Sequence, residues 1–272
     1  MPSTIVPCFS PIAPNLPKSI RRFTPAKRCG CITIRMVDQR GNPYPISGVI
    51  FSRPAKRVAG DWSAHISTTL DRLADLLERC SESQWNAPSM CEGWRVRDVV
   101  GHIIWRLGNS NRAIARVGIS TVKPKQKFAE VAREIADADV EDLIQQLRTI
   151  ASGKLAGEGH TGLIELTEAI VHAYDITEAL GLKLRLSPRS TGAVALARTR
   201  IPALFTTRKV ARDVTLRAVD ARWQIGRGTP VNATSGSIIM YLFGRIDRLA
   251  LETALEAAQE DSSEDEQEAG SN

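Results

Sequence analysis

Glu168 and His172 stand four residues apart in ELTEAIVHAYDI, a stretch whose apolar residues recur with helical spacing. Both side chains therefore leave one helix face about a turn apart. His102 closes the motif WRVRDVVGH within a second stretch of the same period. Two imidazoles and one carboxylate, offered by two amphipathic helices packed side by side, supply three protein ligands for a divalent ion such as zinc and leave a fourth position open for a reacting group. The chain has only four histidines, and two of them fall in this pattern. From spacing alone the plainer readings stay open: His102 as a core histidine, and Glu168 with His172 as a solvated i,i+4 pair. Asp175, one turn past His172, either accepts an imidazole N–H from it or serves as an ordinary helix-surface or capping residue. Cys91, in the loop before a helix, reads as a small buried residue in preference to a reactive thiol. His65 and His160 have no partner at useful spacing, and Trp85 and Trp94 suit bundle packing better than pocket lining.

Helices must position these residues. Ile66, Leu70, Leu73, Leu76 and Leu77 predict a first helix over about 61–80, and Val99, Val100, Ile103, Ile104 and Leu107 surround His102 in a second over about 96–117. A polar linker containing KPKQK follows. A third helix is expected over about 140–151 with Asp139 as its N-cap, and a fourth over about 161–180, stopped by Gly181. Four such helices predict an antiparallel bundle with its site between facing side chains. Beyond residue 185 the character changes. A helix over 187–205 precedes DVTLRAVD, which alternates as a half-buried strand, with ARWQIGRG as its hairpin partner through a turn at Asp220 and Ala221. A helix from Ser235 carries Ile238, Ile239, Leu242, Phe243 and Ile246 toward a core. The expected class is mainly α: a four-helix bundle over 58–185 with a small C-terminal α/β unit over 186–255.

Composition bounds what this fold is for. The chain's 272 residues are 43% hydrophobic and can bury a sizeable core, and no apolar run reaches the length of a membrane span. The net charge of +6 is unevenly placed. Residues 1–57 hold ten Lys or Arg and one acid, Asp38, whereas 256–272 hold seven acids and no base. The basic excess thus lies mainly in an extension, and no stripe of Lys and Arg interleaved with aromatics marks a nucleic-acid surface. Nine of the fourteen prolines lie in the first 55 residues. That segment reads as disordered, either a transit-like extension or sequence upstream of a later start such as Met36. The acidic tail 256–272 reads as disordered too. Five cysteines without a framework of spacings fit a reducing cytoplasm.

APSMCEGWRVRDVVGH, EAIVHAYDITEALG, the strand pair ending GRGTPV and the closing SIIMYLFGR together resemble the mycothiol-dependent maleylpyruvate isomerase family of the DinB-like, YfiT-like metalloenzyme superfamily. The resemblance spans about 58–255. Its most specific parts are W-x-V-x-D-V-V-x-H and E-x-x-x-H-x-x-D, in that order. It implies a DinB-like bundle whose divalent metal, usually zinc, is held by His102, Glu168 and His172, with Arg245 of FGR at the position of a catalytic arginine. It also implies mycothiol as co-reactant, an isomerase or thiol-transfer reaction, and a cytoplasmic setting. In physical terms, zinc holds a thiol as thiolate at neutral pH. Addition of that thiolate to an activated C=C bond, then rotation and elimination, isomerises it, while an arginine near the metal pairs with a substrate carboxylate. Two other classes stay open: a metal-dependent hydrolase or transferase that activates water without mycothiol, and a metal-binding protein with no turnover.

Overall fold

A computed structural model describes residues 35–36, 62–200 and 213–253. The tail expectation for 256–272 lies outside them, as does nearly all of 1–57. Helix α1 (Ser63–Leu77) turns Ile66, Leu70, Leu73, Ala74 and Leu77 inward. A one-turn α2 (Glu82–Trp85) starts at Ser81, whose backbone N–H and hydroxyl exchange hydrogen bonds with Gln84, satisfying donors that a helix start would otherwise leave open. Helix α3 (Val96–Gly108) begins where Asp98 accepts the Arg95 N–H at 2.9 Å. The single helix expected over 96–117 is in fact two. Asn109 is extended, and Ser110 caps a new helix α4 (Asn111–Ile119) by accepting from Ala113 N–H at 3.2 Å. The expected KPKQK linker is likewise helical: Pro124 occupies the first turn of α5 (Pro124–Ala136), where its missing N–H costs nothing. Helices α6 (Val140–Leu155) and α7 (Leu163–Thr177) follow, and the chain leaves α7 through Gly181 at φ +65°.

Four of these helices close a ring in which α1 and α3 each pack on both α6 and α7, while α5 lies against the outer side of α3. The fold is therefore the expected bundle, with α5 added to it. The α3–α5 approach is close: a Cβ on Gly101 would stand 2.2 Å from the Ala132 carbonyl oxygen. No helix among the described residues is long and apolar enough to cross a membrane.

The C-terminal part contains α8 (Pro188–Arg200), β2 (Val214–Ala218), β3 (Trp223–Gly226), β4 (Thr229–Ala233) and α9 (Ser235–Leu242). Strands β2 and β3 form the expected hairpin, with Ala218 opposite Trp223. Strand β4 was not foreseen as a sheet member. It pairs with β2 in parallel, and the chain reaches it past the start of β2, where a Cβ on Gly226 or Gly228 would meet the Val214 or Asp213 carbonyl at 2.1 or 1.9 Å. A fourth strand, β1 (Arg35–Met36), pairs antiparallel with β3, so the order is β1-β3-β2-β4. Those two residues belong to the segment expected to be unstructured. Asp220 fixes the hairpin turn to α9 by accepting from Ser235 N–H (2.7 Å) and Ser235 Oγ (2.8 Å). Two apolar cores result, one in the bundle and one between α8, the sheet and α9, and Phe243 and Ile246 pack against both.

Candidate metal centre

Helix α7 sets the site. The Gly162 N–H donates to Glu165 Oε2 at 3.0 Å and fixes the helix start. Residues 165, 168, 172 and 175 then fall on one stripe, three or four apart. Helix α3 faces that stripe with His102 and, one turn on, Arg106. His102 meets Glu168 and His172, while Arg106 meets Glu165 and Glu168, the crossing pattern of antiparallel neighbours.

His102 Nε2 lies 3.4 Å from Glu168 Oε2, and His172 Nε2 lies 3.5 Å from the same oxygen. The imidazole centroids are 4.7 Å apart at 76°. Two ligand atoms bound to zinc at about 2.0–2.1 Å and the tetrahedral angle stand roughly 3.3–3.4 Å apart. The residues present therefore fit a tetrahedral ion. His172 Nδ1 is 2.9 Å from Asp175 Oδ2. Since an ionised carboxylate only accepts, Nδ1 carries the proton and Nε2 is the nitrogen left for a metal. Glu168 is the open side of the cluster: its side chain is 25% exposed, against 4% for His102 and 7% for His172. Trp94 stands edge-on to His102 at 5.8 Å, with Trp105 at 6.2 Å on another side. A second ligand-capable group, Cys91, His172 and Asp175, overlaps the first. It is the poorer candidate, because Asp175 already serves two other residues.

Charges follow from this packing. Burial holds His102 below the ordinary imidazole range, with the Glu168 hydrogen bond opposing. Burial also disfavours a charged His172, but hydrogen bonds to Asp175 and Glu168, with their charges, outweigh it and push the pKa up to about 9. For Glu168, burial opposes ionisation, yet His102 and His172 together hold the carboxyl well below its usual range. Asp175 is likewise held low against burial, by His172 and Arg245.

Arg245 is held by a carboxylate of the protein itself. Its Nε donates to Asp175 Oδ1 at 2.7 Å and a terminal nitrogen donates to Oδ2 at 3.2 Å. A fully buried carboxylate demands such a cation. Local sequence explains how the arginine gets there. Gly244, at φ +76°, donates to the Tyr241 carbonyl (3.0 Å), and Arg245 N–H donates to Met240 O (2.8 Å). This left-handed glycine stop after α9 turns Arg245 back toward α7. The sequence reading missed two neighbours of the site, Arg106 (Nε 3.8 Å from Glu168 Oε1) and Glu165. Their spacing carried the signal, one turn after His102 and one turn before Glu168. Lys154, also unforeseen, is buried and donates to the His160 carbonyl at 3.1 Å. His65 packs beside Trp62, and Trp85 is wholly within the bundle core.

Residues 66–156 match the family model described as the mycothiol maleylpyruvate isomerase N-terminal domain. The match includes His102 and ends before Glu168 and His172. Two proteins of Mycobacterium tuberculosis described as uncharacterized, one from strain CDC 1551 / Oshkosh and one from strain ATCC 25618 / H37Rv, are each 25% identical over 146 residues, 50% of this chain and 76% of the relative. A crystal structure of the mycothiol-dependent maleylpyruvate isomerase overlaps 68% of this chain and 89% of its own, at 10% identity and a TM-score of 0.43. A histidine-to-alanine mutant of that isomerase gives 11% and 0.41 over 68% of this chain and 88% of its own. The family read from the motifs is the one whose N-terminal domain model residues 66–156 of this chain match.

Proposed function

We propose that this chain is a divalent-metal enzyme of the mycothiol-dependent isomerase kind. On this reading it acts on a small carboxylate-bearing substrate by isomerisation or thiol transfer, with His102, Glu168 and His172 as the metal ligands. The observation that supports it best is the pair of 3.4 and 3.5 Å separations about Glu168 Oε2, with His172 turned by Asp175 so that Nε2 joins them. When bound there, zinc or a similar ion supplies the Lewis acidity that keeps a thiol ionised near neutral pH, and mycothiol supplies the sulfur nucleophile.

The chain's own residues prepare that chemistry. Asp175 fixes the His172 tautomer, and Arg245 holds Asp175 ionised, so Arg245 acts through the carboxylate it binds and sets the orientation of a ligand. With His172 neutral, as a metal ligand must be, the buried charges about the site balance among themselves: Glu165, Glu168 and Asp175 against Arg106, Lys154 and Arg245. An added dication therefore leaves positive charge that the protein does not neutralise, which favours anionic reactants such as a thiolate and a carboxylate. Trp94 and Trp105 wall His102 with apolar surface and keep water from that side.

Metal analysis of the purified protein should find about one divalent ion per chain, and His102→Ala, Glu168→Ala and His172→Ala should each lose most of it. Consumption of an activated cis-alkene carboxylate such as maleylpyruvate should require added thiol. Full metal retention in His102→Ala would sink the ligand set. Turnover indifferent to thiol, with solvent oxygen in the product, would replace this reading with a hydrolase.

A further inference from the structure

Arg198 is a buried arginine that pairs with no carboxylate among the described residues. It lies near the end of α8 with 5% of its surface exposed. Its Nε donates to the Leu242 carbonyl at 3.0 Å, and the Phe243 ring centroid lies 4.6 Å from its guanidinium carbon. The carbonyl end of α9 and an aromatic face both favour a cation, but neither neutralises one. Burial, and then the charge of Arg245, push its pKa down to about 10. Asp175 offers no relief, because Arg245 and His172 occupy both its oxygens.

The turn Leu242–Arg245 therefore organises two arginines at once. Phe243 covers Arg198, and Gly244 sends Arg245 to the carboxylate behind His172. Arg198 thus lies close enough to Arg245 to feel its charge, and Arg245 in turn pairs with Asp175, beside Phe243 and Ile246 where the two apolar cores join. With Nε committed and one face stacked, Arg198 keeps the paired terminal nitrogens of its fork, which suit the two oxygens of a planar carboxylate. A buried cation that lacks an acid partner lowers stability, and such a group persists where a ligand supplies the missing charge.

We propose that Arg198 is a substrate-recognition residue that receives a carboxylate of the small-molecule substrate at the Asp175 end of the metal centre. This rests on the metal and thiol reading above and adds where the substrate's anionic end lies. The test uses the full-length, metal-loaded chain and isothermal titration with maleate, a small dicarboxylate, beside inorganic phosphate and neutral maleamide. The wild type should bind maleate in preference to both. Arg198→Met should weaken maleate about 10- to 100-fold, with metal content unchanged and a melting temperature equal to or above wild type, since an uncompensated charge has been removed. Arg198→Lys should keep part of the affinity, because it keeps the charge and loses the fork.

Unchanged maleate affinity in Arg198→Met overturns the proposal, and so does phosphate binding as tight as maleate with the same dependence on Arg198. If Arg198→Met fails to fold, Arg198→Lys decides: a weakened affinity at unchanged melting temperature supports the assignment, and a wild-type affinity refutes it. The two readings fail separately. Loss of the metal assignment would appear in the His102→Ala metal content, whereas indifference of maleate to Arg198 with metal in place would remove this inference alone.

Discussion

Asp175 is the residue on which the centre turns, because its two buried oxygens serve His172 at 2.9 Å and Arg245 at 2.7 and 3.2 Å. Asp175→Asn keeps the shape and removes the charge that orients the imidazole. Its metal affinity, read by competition with a chelator, should fall about 10- to 100-fold, less than on removal of any of the three ligands. An affinity equal to wild type would show that Asp175 serves packing alone. Lys154 makes a different prediction. Burial pushes its ammonium pKa down, with Glu165 opposing, so between its depressed folded value and the ordinary 10.5 the unfolded chain binds more protons and stability rises with pH. Melting temperatures of the wild type measured against Lys154→Met should show the wild type gaining ground as pH approaches 10.5, and a constant difference would contradict this. At this scale the sequence showed what is local. Glu168 and His172 were legible because one helix holds them, and Asp175 was legible as a possible partner of His172. The Arg245–Asp175 pair was not, since 70 residues separate its members and only the turn at Gly244 brings them together.

Helix α3 carries His102 and is held against α5 at the distance that Gly101 permits. Gly101→Ala places a methyl 2.2 Å from a backbone oxygen, which cannot rotate away as a side chain can. A loss on the order of 1–3 kcal/mol is expected, seen as a lower denaturant midpoint, and metal content should fall because His102 is the next residue. Stability and metal content equal to wild type would show that α5 yields freely. Apolar periodicity revealed α1, α3, α6 and α7 because each has a buried face. It ran α3 and α4 together because Ile114 and Val117 continue the period while Asn109 and Ser110 break the backbone. It passed over α5 because a start rich in Lys and Pro reads as linker, although Pro124 marks the first turn. The parallel pairing of β4 with β2 was out of reach of a local pattern, since it depends on a chain crossing that only Gly226 and Gly228 allow.

Over the whole molecule, the two cores share Phe243 and Ile246, and the edge of β3 is covered by β1. Deleting residues 1–57 should leave metal content unchanged, because the bundle and its three candidate ligands lie outside that segment. It should also raise hydrogen exchange of the β3 amides at 223 and 224, whose β1 partners are gone. Unaltered exchange there would mean that β1 contributes nothing to the sheet, and loss of metal would mean that the extension supports the bundle. The reach of Arg245 from the turn after α9 to α7 ties these parts together in a further sense. If docking of the C-terminal part improves His172 as a ligand, thermodynamic reciprocity requires bound metal to tighten that docking by the same factor. The ion would then be a clasp between halves as well as a reagent, and chelation should loosen α8, the sheet and α9 from the bundle before either half unfolds.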